Sequence, residues 1–304
     1  ATMSAAQAVF SCLDSDIPHN SGSFRRLDIL LRENCVTGIP RFPHSCSVAT
    51  TNMTDTIINA VQAAFAQLGD GFGFSQGNMC NGAGTGVCSG KDWRRGGAPY
   101  VNQMFMSAGG MPASARNDGM HGMVNPVSAG LVYRDSIEVN EQRFPFQVES
   151  VRALEDSCGA GRRRGGPASE VIMGPRNEPM LVINISNGLE NVPQGVLGGL
   201  PSQPGVQMKI AADGSEEFYS TDAYCHLSPG DRLRAVDNGG GGYGDPLTRE
   251  AERVLSDVEE RFVSRAQAEA VYGVIITGSP ARDDLAIDIS ATTKLRESRL
   301  AASD

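Results

Sequence analysis

The chain is poor in aromatic residues (6%, with a single tryptophan) and has no uninterrupted apolar stretch near the length of about 18 residues that a membrane-spanning helix needs. Its first residues show no basic segment leading into an apolar run, so the expected location is cytoplasmic. Basic residues are also in deficit. With Lys+Arg 26 against Asp+Glu 35 and a formal net charge of −9, the chain lacks the positive face that phosphate neutralisation requires, and nucleic acid is excluded as a partner. Its seven cysteines are odd in number and include no C-x-x-C pair, which reads as free thiols in a reducing compartment and argues against a cysteine zinc site. Two catalytic signatures are missing as well, the G-x-x-x-x-G-K-[ST] phosphate loop and the G-x-S-x-G elbow, and Ala1 has no side-chain nucleophile.

What the chain does have is glycine, 36 of 304 residues, in clusters without a fixed period. This pattern predicts tight turns and close backbone contacts within a globular protein, since 40% hydrophobic and 20% charged residues suffice for a core. A turn at Pro18, Asn20 and Gly22 precedes an alternating strand with Leu27, Ile29 and Leu31. Asn52 to Leu68 predicts a helix, with Ile57, Ile58, Val61, Ala64, Phe65 and Leu68 at helical spacing, a cap at Asn52 or Thr54 and a stop at Gly69. Residues 1 to 10 read as a helix opening abruptly. Residues 71–130 read as loops crossing a buried sheet, 136–151 as a pair of strands, and 170–186 as two strands, of which Met180 to Ile185 is the stronger. Beyond Asp245-Pro246 two helices are expected, Arg249 to Phe262 and Ser264 to Tyr272, the second opened by a Ser264/Gln267 capping box; the tail from Pro280 is expected to be mobile or packed on a partner. The expected class is α+β: a β-rich, glycine-rich body over 1–246 with a few packed helices, and a helical C-terminal segment over 247–304.

Several motifs concentrate chemistry. Asp16-Ile17-Pro18-His19-Asn20-Ser21-Gly22 places a carboxylate, an imidazole and an amide in one turn, which either lines a site or only bonds its own backbone. In Asn117-Asp118-Gly119-Met120-His121-Gly122 a carboxylate and an imidazole sit three residues apart, the pairing that general-base chemistry uses; the same residues also describe a turn with a surface histidine. Asp156 to Gly166 joins a glycine bend to Arg162, Arg163 and Arg164, which can hold a phosphate or carboxylate bidentately or tie down a turn by ion pairs. Cys158 in that bend reads as structural before reactive. The run Gly239 to Pro246 follows a strand at Arg232 to Val236 but lacks the helix of a dinucleotide fold, so it predicts two backbones packed closely, anchored by Tyr243 and Asp245.

Taken in order, these segments, with Glu138-Val139-Asn140-Glu141-x-x-Phe144-Pro145, Leu227-Ser228-Pro229-Gly230-Asp231-Arg232 and Val271-Tyr272-Gly273-Val274, resemble the C-terminal half of the hydantoinase B/oxoprolinase family. The resemblance implies a hydantoinase A-type partner subunit, an actin-like ATPase carrying ATP and Mg2+. It also implies an upstream half of the subunit whose histidine- and aspartate-rich segment is a possible divalent-metal site. The implied reactions are opening of cyclic amides such as hydantoins, oxoproline and lactams, or carboxylation of ketones such as acetone and acetophenone; a non-catalytic assembly role is the further alternative. The candidate residues are Asp118 and His121 as catalytic groups, with Asp16, Asn20, Glu141 and Arg164 as substrate-binding groups. The isolated chain is expected to be inert and to work only with partner polypeptides.

Overall fold

In the computed structural model the described residues are 16–17, 20, 22–35, 38–43, 53–122 and 134–301. Two antiparallel sheets of five strands face each other. The first holds β1 (Cys80–Asn81), β2 (Val87–Asp92), β3 (Ala98–Gln103), β6 (Met180–Ser186) and β9 (Asp222–Leu227), with β1 and β2 on one side of β6 and β9 on the other. The second runs β4 (Phe146–Ala153), β5 (Ser169–Pro175), β10 (Arg232–Val236), β7 (Val206–Ile210), β8 (Glu216–Phe218). Alternation of side chains across each strand delivers Cys88, Met180, Val182, Cys225 and Leu227 from one sheet and Phe146, Val171, Met173, Leu233 and Ala235 from the other into a single core. On the far side of the second sheet, Glu170 of β5 is buried yet satisfied: Arg152 of β4 (2.5 Å) and Arg234 of β10 (2.7 Å) clasp it from the two neighbouring strands. Burial pushes its pKa up, and the two guanidinium hydrogen bonds more than reverse that, leaving it below the ordinary value.

The predicted strands at 180–185 and 232–236 are found, and the expected β-rich body with a C-terminal helical part is the architecture seen. Other expectations are corrected. Residues 136–151 hold a helix, α2 (Ile137–Arg143), before β4, because Ser136 caps it by accepting from Val139 N (3.3 Å). The 71–130 stretch is not loop alone; it contributes β1, β2 and β3. No strand forms at Leu27 to Leu31, where a 3₁₀ turn (Ser23–Arg26) leads into exposed chain. Residues 1 to 10 lie outside the described residues.

Helix α1 (Thr54–Ala66) forms where its spacing predicts, without a side-chain cap, but it buries an unexpected side. Thr54, Asp55, Ile58, Asn59, Gln62 and Ala66 are buried, whereas Leu68 just beyond it is 65% exposed. The polar side turns inward because Asn59 is hydrogen-bonded to both main-chain groups of Gly77, through Nδ2 to the carbonyl (3.2 Å) and Oδ1 from the amide (2.8 Å).

Beyond the sandwich, α3 (Ala251–Glu259), α4 (Arg265–Ala270), the strand pair β11 (Ile276–Thr277) and β12 (Ala286–Ile287), and α5 (Ile289–Leu300) enclose a second core of Val254, Val258, Val263, Ala268, Tyr272 and Val274. Ser264 caps α4 by accepting from Gln267 N (3.0 Å). The chain from Pro280 to Ala301 packs on this unit of its own chain, where a mobile or partner-packed tail was expected, because Arg296 of α5 donates to the carbonyls of Tyr272 (3.0 Å) and Arg249 (2.8 Å). Among the described residues no helix is long and apolar enough to cross a membrane.

Candidate functional site

The glycine clusters meet at one junction beside the sandwich. Gly159 N donates to Gly240 O (2.8 Å), Gly240 N to Gly166 O (2.8 Å), Gly166 N to Met111 O (2.9 Å), and Gly119 N to Arg164 O (2.7 Å). Segments distant in sequence are thus joined main chain to main chain. A Cβ on Gly165 would lie 1.9 Å from Gly240 O, and one on Gly241 2.2 Å from Gln194 O, distances that no side chain can occupy. Tyr243 anchors the run as expected: its hydroxyl accepts from Gly71 N (3.1 Å) and donates to Phe72 O (3.1 Å). Asp245 caps the following turn by accepting from Leu247 N (2.8 Å).

A charge network ties this junction to α3. The Asp118 carboxylate is held bidentately by Arg249 (2.7 and 3.0 Å) and also accepts from Arg164 N (2.9 Å). Asp257 accepts from Arg164 Nε (2.6 Å) and Arg249 Nη2 (2.8 Å). The Arg164 guanidinium also donates to the carbonyls of Gly119 (3.3 Å) and Gly165 (3.1 Å) and lies 4.8 Å over the Phe262 ring. Two carboxylates and two guanidinium groups balance in the interior, and the hydrogen bonds compensate their desolvation. Burial raises the pKa of Asp118, but Arg249 and Arg164 together hold it below the ordinary carboxylate value.

His121, three residues from Asp118, faces elsewhere. Its Nδ1 lies 3.1 Å from Pro167 O. A carbonyl only accepts, so Nδ1 carries the hydrogen and Nε2 keeps the lone pair, the tautomer of a base or a metal ligand. Burial lowers the pKa of His121, the charges of Arg134 and Arg164 lower it further, and the Pro167 carbonyl opposes them; the ring is therefore neutral at pH 7. Arg134 reaches in beside it to donate to Ser169 Oγ (2.9 Å), and Ser169 Oγ donates to Ala108 O. Burial lowers the Arg134 pKa against the pull of Asp237, whose carboxylate accepts from Ser107 Oγ (2.5 Å). Asp237, Ser107 and Ser169 are buried.

The structure therefore separates residues that sequence proximity joined. The expected Asp118–His121 pairing is replaced by Asp118–Arg249, because a buried guanidinium offers two parallel hydrogen bonds to the carboxylate. Arg164 is not open to an anion; Asp257 already occupies its guanidinium. Glu141 lies at the end of α2, where Oε1 accepts from Val148 N (2.8 Å) and Oε2 pairs with Arg176 (2.9 Å). Asp16 and Asn20 are exposed, and Asn20 Oδ1 accepts from Gly22 N (2.8 Å). Reasoning from motifs missed Arg134, Ser107 and Asp237. Only Asp237 carries a visible signal, a carboxylate at the exit of β10 into the glycine run. Cys158 is buried and structural, as read from the sequence, and Cys88 and Cys225 are buried too: burial pushes the Cys158 thiol up to about 11 and those of Cys88 and Cys225 up to about 12. Among the described residues no group of three or more His, Cys, Asp or Glu is placed to hold a metal ion, so those residues do not fit such a centre.

The β-rich, glycine-rich body with a helical C-terminal segment that the sequence led us to expect is the architecture observed, and its glycine-rich junction adjoins a buried arginine network. The chain belongs to the hydantoinase B/oxoprolinase family, which matches residues 1–246. It is similar to the caprolactamase subunit beta of Pseudomonas jessenii, 28% identical over 275 residues, covering 88% of this chain and 47% of the relative. It is also similar to the acetophenone carboxylase delta subunit of Aromatoleum aromaticum, 26% identical over 328 residues, covering 95% and 46%. Its fold matches the crystal structure of the ATP-dependent caprolactamase from Pseudomonas jessenii with a TM-score of 0.80 at 24% identity, covering 97% of this chain and 51% of that one. The chain spans about half the length of the curated relatives it matches.

Proposed function

We propose that the chain is part of an ATP-dependent amidohydrolase that opens a cyclic amide of the hydantoin, oxoproline or lactam type, with His121 on the wall of the substrate site. The observation that carries this reading is the neutral His121 ring, oriented by Pro167 O so that Nε2 keeps its lone pair next to the fixed charge of Arg134. The relation to a caprolactamase subunit supports the reaction class. An unstrained amide resists attack by water; phosphorylation of its oxygen by ATP makes the carbon electrophilic, and water adds there. C–N cleavage then releases the ring nitrogen as a protonated amine and leaves an acyl phosphate, whose hydrolysis gives carboxylate and phosphate. In this reading the ATP and Mg2+ are held by a hydantoinase A-type ATPase subunit, and the remaining half of the hydantoinase B-type subunit supplies any divalent metal. His121 Nε2 takes a proton from the attacking water, and Arg134 offsets negative charge on the substrate. Asp118 and Arg164 act at one remove, holding the 118–122 turn that carries His121. Asp16, Asn20 and Glu141 are retained as proposed substrate contacts from the sequence reading.

The second reading is an ATP-dependent ketone carboxylase, favoured by the acetophenone carboxylase relative. The discriminating experiment offers the intact complex cyclic amides and ketones and follows ATP hydrolysis with and without bicarbonate. Ring-opened product formed in step with ADP in bicarbonate-free buffer is expected; ATP turnover that needs both a ketone and bicarbonate would establish the carboxylase instead.

A further inference from the structure

The outer face of the first sheet carries the residues that a sandwich normally hides. Across its strands one rung reads Tyr224, Ile183, Val87, Gln103, and the next reads His226, Leu181, Ser89, Val101. Val101 is 70% exposed and Tyr224 67%. Strand β6 shows the inversion most clearly. Its inward positions are Met180, Val182, Asn184 and Ser186, and its outward ones are Leu181, Ile183 and Ile185. The inward amide is accommodated: Asn184 Nδ2 donates to Ser186 Oγ (3.0 Å) and Cys225 Sγ donates to Asn184 Oδ1 (3.6 Å). A slip of one residue would exchange the two faces and bury Leu181, Ile183 and Ile185 in place of Met180, Val182, Asn184 and Ser186, three apolar side chains for two. The observed register forgoes that gain, which makes sense for a strand whose two faces are both covered. Helix α1 repeats the pattern independently, with Asn59 and Gln62 buried and the apolar residues Val61 and Phe65 less so.

We propose that this face is the docking surface for the other half of a hydantoinase B-type polypeptide, the part of the relatives that this chain does not cover. The inference rests on the reading of the chain as one part of such a subunit. The occupant follows from length: the match takes up 47% of the caprolactamase beta subunit and 51% of the matching crystal-structure chain, so about the same length of polypeptide again is tethered to this fold there. A second layer against Leu181, Ile183, Tyr224 and Val101 makes the first sheet the middle of a three-layer arrangement. Partly exposed Leu181, Ile183 and Ile185 beside the exposed Val101 and Tyr224 give this face apolar surface of the kind that marks an interface.

The test expresses the remaining half of the native subunit as a separate tagged polypeptide and measures its binding to this chain. Ile183→Glu and Val101→Glu are each expected to weaken binding at least tenfold, while Phe218→Glu, 68% exposed on the opposite sheet, stays within twofold of the unsubstituted chain. Hydrogen exchange, which needs no substitution, is expected to show protection of 180–186 and 222–227 on complex formation. Undiminished binding by Val101→Glu without that protection overturns the proposal, as does failure of the two halves to bind. Self-association of this chain alone that Ile183→Glu abolishes would assign the face to a second copy and overturn it too. These are binding readouts, so an assembled enzyme that proves to be a carboxylase leaves them standing and refutes only the reaction assigned above.

Discussion

In the sandwich, Met173, Val182 and Leu233 fill the space between two sheets. In the junction around Gly240 no side chain intervenes, and main-chain groups of separate segments bond directly. The difference teaches where each region tolerates change. A side-chain core relaxes partly around a lost methylene, whereas a main-chain contact at hydrogen-bond distance has no room for even one added carbon. The arginine network is the extension of the junction toward α3, and it shares that intolerance, since each charge there is satisfied by a defined opposite partner.

The comparison can be broken first at Gly241. Gly241→Val should cost more than about 4 kcal/mol and abolish soluble folding, because the added atoms meet Gln194 O; an unchanged melting temperature would show that the junction yields as a side-chain core does. Asp257→Ala should cost about 3–5 kcal/mol by leaving Arg164 and Arg249 without their shared carboxylate, measured by urea unfolding. Met173→Ala, between the sheets, should cost about 2–5 kcal/mol with cooperative unfolding retained. A value above that for Asp257→Ala would reverse the ranking of the two regions. At the lower end, Asp70→Ala removes the exposed Arg162–Asp70 pair (2.6 Å) and should cost less than about 1 kcal/mol.

Acid sharpens the same contrast through His121 and Asp118. The folded-state pKa of His121 is below its ordinary 6.5, so the unfolded chain protonates first as pH falls, and stability declines below about pH 6.5 until the folded ring protonates as well. Asp118, held below 3.8, contributes stability that is complete above that value and lost as pH falls through its lower folded-state pKa. Unfolding measured from pH 7.5 to 5 should therefore show a slope that His121→Gln flattens. An unchanged slope would place His121 in a solvent-like setting.

Periodicity made the elements legible more readily than their surroundings. The 3.6-residue pattern locates α1, but the side that is buried depends on Gly77 bonding Asn59, a contact 18 residues away that no local pattern contains. The glycine run at 239–242 was legible as a close backbone approach because glycine leaves few other reasons for such a run; which backbones it meets, those of Gly159, Gly166 and Met111, is set by topology. At the candidate site, Asp118 and His121 are neighbours in sequence whose side chains diverge. The partners that decide their chemistry, Arg249 and Pro167, are 131 and 46 residues away. Arg134 stayed invisible because a lone arginine carries no spacing signal.

The most direct test of the account is the turnover of His121→Ala in the assembled complex with a cyclic amide that the unsubstituted enzyme opens. The account predicts unchanged assembly and a kcat lower by roughly 10²–10⁴-fold, the range for loss of a general base. Turnover within twofold of the unsubstituted complex would contradict it.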